Sequence, residues 1–351
     1  MTQRTLAGLL AVPLVAALWV VALLTPLPYV TYQPGLTVDV LDEPDGEEII
    51  HVSGRKTYRD DGQLRMTTVY VTQPKAEVNL FEVMGGWLNP DDAVYPYRAV
   101  YQEGETNESN EVEGAIEMVS SQDAAIAVAL TELGIDYQPA PRVFTVANGT
   151  PAAGKLEAGD LILRVAGTQV RTTESVGEAI RAQPEGEPVS FVVLRDGAEK
   201  TIEITPEQID GSPRVGVELL PAFHFPFQVS VDIDPTIGGP SAGLMFSLGI
   251  YDTLTPGSLT GGAVVAGTGS ITEDGEVGPI GGIQQKIAAA RDDGADLFLV
   301  PPDNCDEALG APNGEMTLVR ADTMHDAADA IESWVADPDA PLPTCSAAEA
   351  S

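Results

Sequence analysis

Residues 6–24, LAGLLAVPLVAALWVVALL, form a run of 19 uncharged and almost wholly apolar positions. A helix of that length matches roughly 30 Å of hydrocarbon, so the run limits the start of the chain to one membrane-crossing helix and the remainder to one side. Arg4 precedes it, whereas Asp39, Asp42, Glu43 and Asp45 follow. The positive-inside tendency then puts the N-terminus in the cytoplasm and everything after Pro26 outside. No A-x-A-like site follows Leu24, which favours an uncleaved anchor over a signal peptide. The expectation is a single-pass protein of the cell membrane with its functional part extracytoplasmic.

A chain of 351 residues exceeds one ordinary core, so two or three globular units are expected. Its 18 basic against 53 acidic residues, a formal charge of −35, exclude nucleic acid, whose phosphates need clustered Lys and Arg. The acidic balance reads as surface solubility. Cys305 and Cys345 make no C-x-x-C pair, and His51, His224 and His325 show no ligand spacing, so no metal site and no metalloprotease is expected. A disulfide pinning the C-terminal tail is expected instead, in an oxidising compartment.

The coarse pattern changes several times. Residues 49–54 (IIHVSG) and 64–72 (LRMTTVYVT), separated by RDDGQ, read as strands of a small sheet. EGETNESNEVE, 103–113, reads as a solvated acidic loop. MVSSQDAAIAVALTELG, 118–134, reads as an amphipathic helix with a capping box at Ser120 and Asp123, a stop at Gly134, and Ile126, Ala129, Leu130 and Leu133 on its inner face. From Gly134 to Gly216 come the short strands RVFTV, LILRVAG, VSFVVLRDG and KTIEIT with one helix, ESVGEAIRAQ.

Within that stretch, VFTVANGTPAAGKLEAGDLILRVAGTQVRT resembles a PDZ domain: a strand, a GSPA-type turn, an L-x-x-GD-x-I segment and a hairpin. The resemblance implies capture of a peptide C-terminus on a sheet edge, with its carboxylate on a loop of backbone N–H groups placed by position at Leu133, Gly134 and Ile135. Gly149–Leu156, GTPAAGKL, nearly spells a phosphate loop. Leu156 stands where a magnesium-binding hydroxyl is needed, so the PDZ turn is the better account and no ATP site is expected.

The chemistry lies further on. A strand with Phe225, Phe227, Val229, Val231 and Ile233 alternating leads into DPTIGGPSAGLMFSLG. Ser241 stands there at the start of an apolar helix, where free N–H groups and the helix dipole favour a developing oxyanion. In GPIGGIQQKIAAARDDGADLFLVP, Ile283, Lys286, Ile287 and Ala290 fall at i, i+3, i+4 and i+7. The sole lysine after Lys200 therefore occupies the face that should be buried, while Gln284, Gln285 and Arg291 mark the expected surface. Desolvation lowers an ammonium pKa and makes a neutral amine available as base near pH 7.

GGPSAG and GEVGPIGGIQQK resemble the nucleophile and lysine motifs of Lon-type proteases, and DLFLVPPDN resembles the strand that follows. The resemblance implies a Ser241–Lys286 dyad, Thr268 orienting the lysine, and backbone N–H groups from Gly239 through Pro240 to Ser241 holding the oxyanion. It extends weakly to the strands at 49–72 and the helix at 118–134. Gly238 departs from the family, which often has an acid there. The architecture expected is α+β: an N-terminal transmembrane helix in 1–28, a Lon-like proteolytic domain split into 29–133 and 219–340 by an inserted PDZ domain at 134–218, and a tail at 341–351. The function implied is an ATP-independent serine endopeptidase without a cofactor, acting on extracytoplasmic polypeptides and self-associating as Lon domains often do. Two alternatives remain open: a catalytically silent PDZ receptor, and an α/β-hydrolase esterase in which His325 serves Ser241.

Overall fold

The structure, a computed structural model, describes residues 3–43, 48–102, 104–195, 197–209 and 211–345, with side chains of the first helix from residue 11 onward. The Arg4 side chain, Asp45 and residues 346–351 of the tail lie outside the described residues.

Two sheets organise the chain. The first runs Thr317–Arg320, Leu297–Val300, Val264–Gly267, Gln63–Val71, Tyr29–Asp39 and Ala93–Pro96 in spatial order. The first three junctions are parallel and the last two antiparallel. The second sheet is antiparallel throughout, in the order Val217–His224, Gln138–Val146, Leu161–Val165, Val189–Arg195 and Ala198–Ile204. Strands of the first sheet come from both sides of residues 138–224, which are therefore an insertion with a core of their own around Val143, Ile162, Phe191 and Ile204.

Helices cover both faces of the first sheet, which is why LFLV at 297–300 is buried at every residue. Alternate residues go opposite ways. Val265, Leu297 and Leu299 join the core of the Gly243–Leu254 helix with Leu244, Met245 and Leu248. Ala266, Phe298 and Val300 join the core of the Ile283–Asp292 helix with Ile283, Ile287 and Ala290. The serine and the lysine thus start from opposite faces of one sheet.

Several expectations need correction. Gln3–Leu24 is helical, yet among the described residues no helix is long and apolar enough to cross a membrane, so the N-terminal transmembrane helix is withdrawn, and with it the membrane as a partner through that helix. The last turns of this helix lie on the protein, with Trp19 stacked on Phe81 at 4.8 Å.

The acidic stretch expected as a loop is largely helix. A single helix runs Asn107–Glu132, capped reciprocally by Thr106 and Ser109, and Ser120 and Asp123 lie inside it. Its apolar second half packs on the core, and helix propagation carries the exposed first half along. Of the strand expected at 225–233 only Gln228–Val231 is strand, and a separate strand ends just before it. Val217–His224 closes the second sheet, and Gln228–Val231 pairs with Ile50–Ser53. Ile50–Ser53 and Gln63–Val71 consequently lie in different sheets. Cys305 and Cys345 are joined, with Cα atoms 5.1 Å apart.

Candidate active site

Ser241 precedes the Gly243–Leu254 helix, which is buried along almost its whole length. A Cβ at Gly243 would meet Ile271 Cγ2 at 2.7 Å and Ser121 Oγ at 2.8 Å, so this turn accepts only glycine without a shift. The lysine helix begins at Gly282, whose φ of +71° suits glycine. A Cβ there would meet Val69 Cγ1 at 2.8 Å. That close approach seats the helix on the Gln63–Val71 strand and brings Lys286 to the C-terminal end of Val264–Gly267.

There the two faces of the sheet meet. Lys286 Nζ lies 2.8 Å from Ser241 Oγ and 2.9 Å from Thr268 Oγ1. Thr268, fully buried one residue beyond the strand, donates its hydroxyl to the Ser241 carbonyl at 3.0 Å, and the Gly269 N–H donates to the same carbonyl at 2.9 Å. With its proton so directed, Thr268 Oγ1 is left to accept from the lysine. Lys286 is 2% exposed, and burial pulls its pKa down from 10.5 to about 7. Gln285, expected at the surface, is buried beside it and donates to the Asp91 carbonyl at 3.2 Å. Arg291 forms a fork onto the Asp91 carboxylate.

The backbone donors differ from expectation. Gly239 N–H donates to Gly114 O at 3.0 Å, and Pro240 has no N–H. Among the described residues the N–H groups of Ser241 and Ala242 have no acceptor. The carbonyl of Pro240 accepts from Ser121 Oγ at 3.0 Å and from the Gly243 N–H at 3.3 Å. Ser121 was not singled out from the sequence. The available signal was its place at i+3 from Met118 and i−4 from Ala125, on the buried face of the helix.

Leu133, Gly134 and Ile135 do not form an open loop of donors. Their N–H groups bond to Ala129, Thr131 and Leu130 carbonyls and close the Asn107–Glu132 helix. The margin of the second sheet is instead Val217–His224, which packs beside the Thr173–Arg181 helix and follows Arg214, Val215 and Gly216. His325 lies at the surface, with Nδ1 2.8 Å from Glu132 Oε1, and that carboxylate raises its pKa. In the phosphate-loop look-alike, Lys155 donates to the Glu203 carbonyl at 2.8 Å.

A cleft of about 280 Å³ opens over the dyad, lined by Met66, Thr67, Val69, Met118, Ile237 and Ser241 among others. Pairing of Gln63–Val71 with Val264–Gly267 ends at Met66. From Thr67 onward that strand edge has no strand beside it among the described residues and forms one wall of the cleft.

Residues 233–332 match the family model of the Lon protease (S16) C-terminal proteolytic domain, and residues 116–205 match that of a PDZ domain. Lon protease 2 of Bacillus subtilis (strain 168) is 32% identical over 108 residues, covering 31% of this chain and 18% of the relative. The Lon protease of Vibrio parahaemolyticus is 44% identical over 66 residues, covering 19% of this chain and 8% of the relative. The chain thus spans less than a fifth of either relative's length. The crystal structure of the PDZ domain of an SdrC-like protein from Listeria innocua covers 23% of this chain and 92% of that chain at 27% identity, with a TM-score of 0.22. The chain thus carries one segment similar to a PDZ domain and one similar to the C-terminal proteolytic domain of Lon proteases.

Proposed function

We propose that this chain is a serine endopeptidase in which Ser241 is the nucleophile and Lys286 the general base. The observation that carries this reading is the buried Lys286 amine 2.8 Å from Ser241 Oγ. With Thr268 accepting one amine N–H, the nitrogen lone pair is left for the serine proton. Lys286 takes that proton as Ser241 Oγ bonds to the scissile carbonyl carbon, and the carbonyl oxygen becomes an oxyanion held by the N–H groups of Ser241 and Ala242. Collapse breaks the C–N bond, and Lys286 returns the proton to the leaving amine. Water then gives a proton to Lys286 and its oxygen to the acyl carbon, and Ser241 Oγ leaves and recovers the proton. No step uses ATP or a cofactor.

The open strand edge from Thr67 supports an extended substrate laid along the cleft by main-chain bonding, so unstructured segments and exposed termini are the substrates proposed. The free margin of Val217–His224 supports peptide recruitment by the inserted domain in the same manner. The Cys305–Cys345 bond supports work in an oxidising, extracytoplasmic compartment.

Hydrolysis of a fluorogenic peptide by the full chain tests the reading. Ser241→Ala and Lys286→Ala should each lose about 10³-fold or more, with His325→Ala unchanged. Activity that survives Ser241→Ala, or that depends on His325, contradicts it.

A further inference from the structure

We propose that Ser121 is a positioning residue that aims the oxyanion-binding N–H of Ser241. The inference rests on the reading of Ser241 as nucleophile. Ser121 is 5% exposed and donates to Pro240 O at 3.0 Å. Pro240 O and the Ser241 N–H belong to one peptide group, and no peptide bond among the described residues is cis. In a trans peptide the C=O and N–H point in opposite directions within one rigid plane. Holding the carbonyl on Ser121 therefore turns the Ser241 N–H away from Ser121, where it meets no protein acceptor among the described residues.

Neither preceding residue can replace that donor. The Gly239 N–H is bonded to Gly114 O, and proline has none. The second hold on the plane, from the Gly243 N–H, is longer at 3.3 Å, so loss of Ser121 loosens the plane without releasing it. The space is tailored to this contact, because a Cβ on Gly243 would lie 2.8 Å from Ser121 Oγ. Ser121 touches neither Lys286 nor Thr268 in the hydrogen-bond network, so its removal leaves the base as it is.

The experiment uses the full chain with Ser121→Ala and Ser121→Cys, the second keeping the volume but offering only a weak S–H donor. It reads kcat and KM on a fluorogenic peptide across pH, and the inhibition constants of a peptidyl boronic acid and of an unreactive peptide amide of the same sequence. For Ser121→Ala, kcat should fall about tenfold to a hundredfold, with KM within about twofold and the pH midpoint unmoved. Boronate affinity should fall while amide affinity holds, because only the tetrahedral adduct uses the N–H. Ser121→Cys should lie between the parent and Ser121→Ala. An unchanged kcat in both variants, or equal weakening of boronate and amide, overturns the inference while leaving the Ser241 reading intact. Parent activity that survives Ser241→Ala overturns both.

Discussion

Among the described residues Lys286 has no carboxylate for a hydrogen-bond partner, only the Ser241 and Thr268 hydroxyls, so its charge is unsupported in a buried place. Its folded pKa of about 7 lies below the ordinary 10.5, which means the unfolded chain binds the proton more tightly between those values. Stability contributed by this site is complete above pH 10.5, declines as pH falls, and reaches its floor below about 7. Lys286→Met should therefore be more stable than the parent at pH 6, with the gap closing toward pH 10.5 in urea melts. A pH-independent gap contradicts the assignment. Thr268→Val keeps the volume but removes the hydroxyl that links the amine to the Ser241 carbonyl. Its loss should lower kcat about tenfold or more, and an unchanged kcat counts against the orienting role. The sequence singles out Ser241 and Lys286 because each breaks a local pattern: a hydroxyl among glycines before an apolar helix, and a lysine on an apolar stripe. Which backbone N–H groups are free was not legible, since the bond from Gly239 to Gly114 joins residues 125 positions apart.

One turn of the Asn107–Glu132 helix links three parts of the chain. Ser121 holds Pro240, Gln122 donates to the Val231 carbonyl at 3.1 Å, and Asp123 accepts from Arg142 of the inserted sheet at 2.8 Å. Burial raises the Asp123 pKa to about 6 against the pull of Arg142, so the carboxylate depends on that partner once ionised. Arg142→Ala should cost roughly 3 kcal/mol above pH 7, shrinking as pH falls through about 6 and the acid takes up a proton. Equal losses at pH 8 and pH 5 in urea melts contradict this. The Cys305–Cys345 link closes 40 residues, so its reduction should cost about 4 kcal/mol on the chain-entropy account. Peptide hydrolysis at 25 °C should persist, because neither cysteine touches the dyad. Periodicity found this helix only from residue 118 on. Its first turns carry Glu and Asn outward, and Val112 stands there exposed among acidic neighbours, too sparse an apolar signal to mark a helix.

Taken whole, the site exists because one sheet is assembled from two distant halves of the chain. Val264–Gly267 pairs with Gln63–Val71, and the serine helix rests on the helix that precedes the inserted domain. The matched family segment, 233–332, is therefore not self-sufficient. A fragment of residues 219–345 should lack cooperative unfolding by circular dichroism, and a folded, active fragment would contradict this topology. The expected split rests on motifs and on the switch from helical to short-strand periodicity near Gly134. The pairing of Gln63–Val71 with strands two hundred residues away was not, because strand partners leave no local trace. The central claim, that a neutral Lys286 activates Ser241, is tested most directly by kcat/KM of the parent chain against pH. The account predicts a rising limb with a midpoint at about 7 that flattens above it and disappears in Lys286→Ala. A limb that persists unchanged in Lys286→Ala would contradict it.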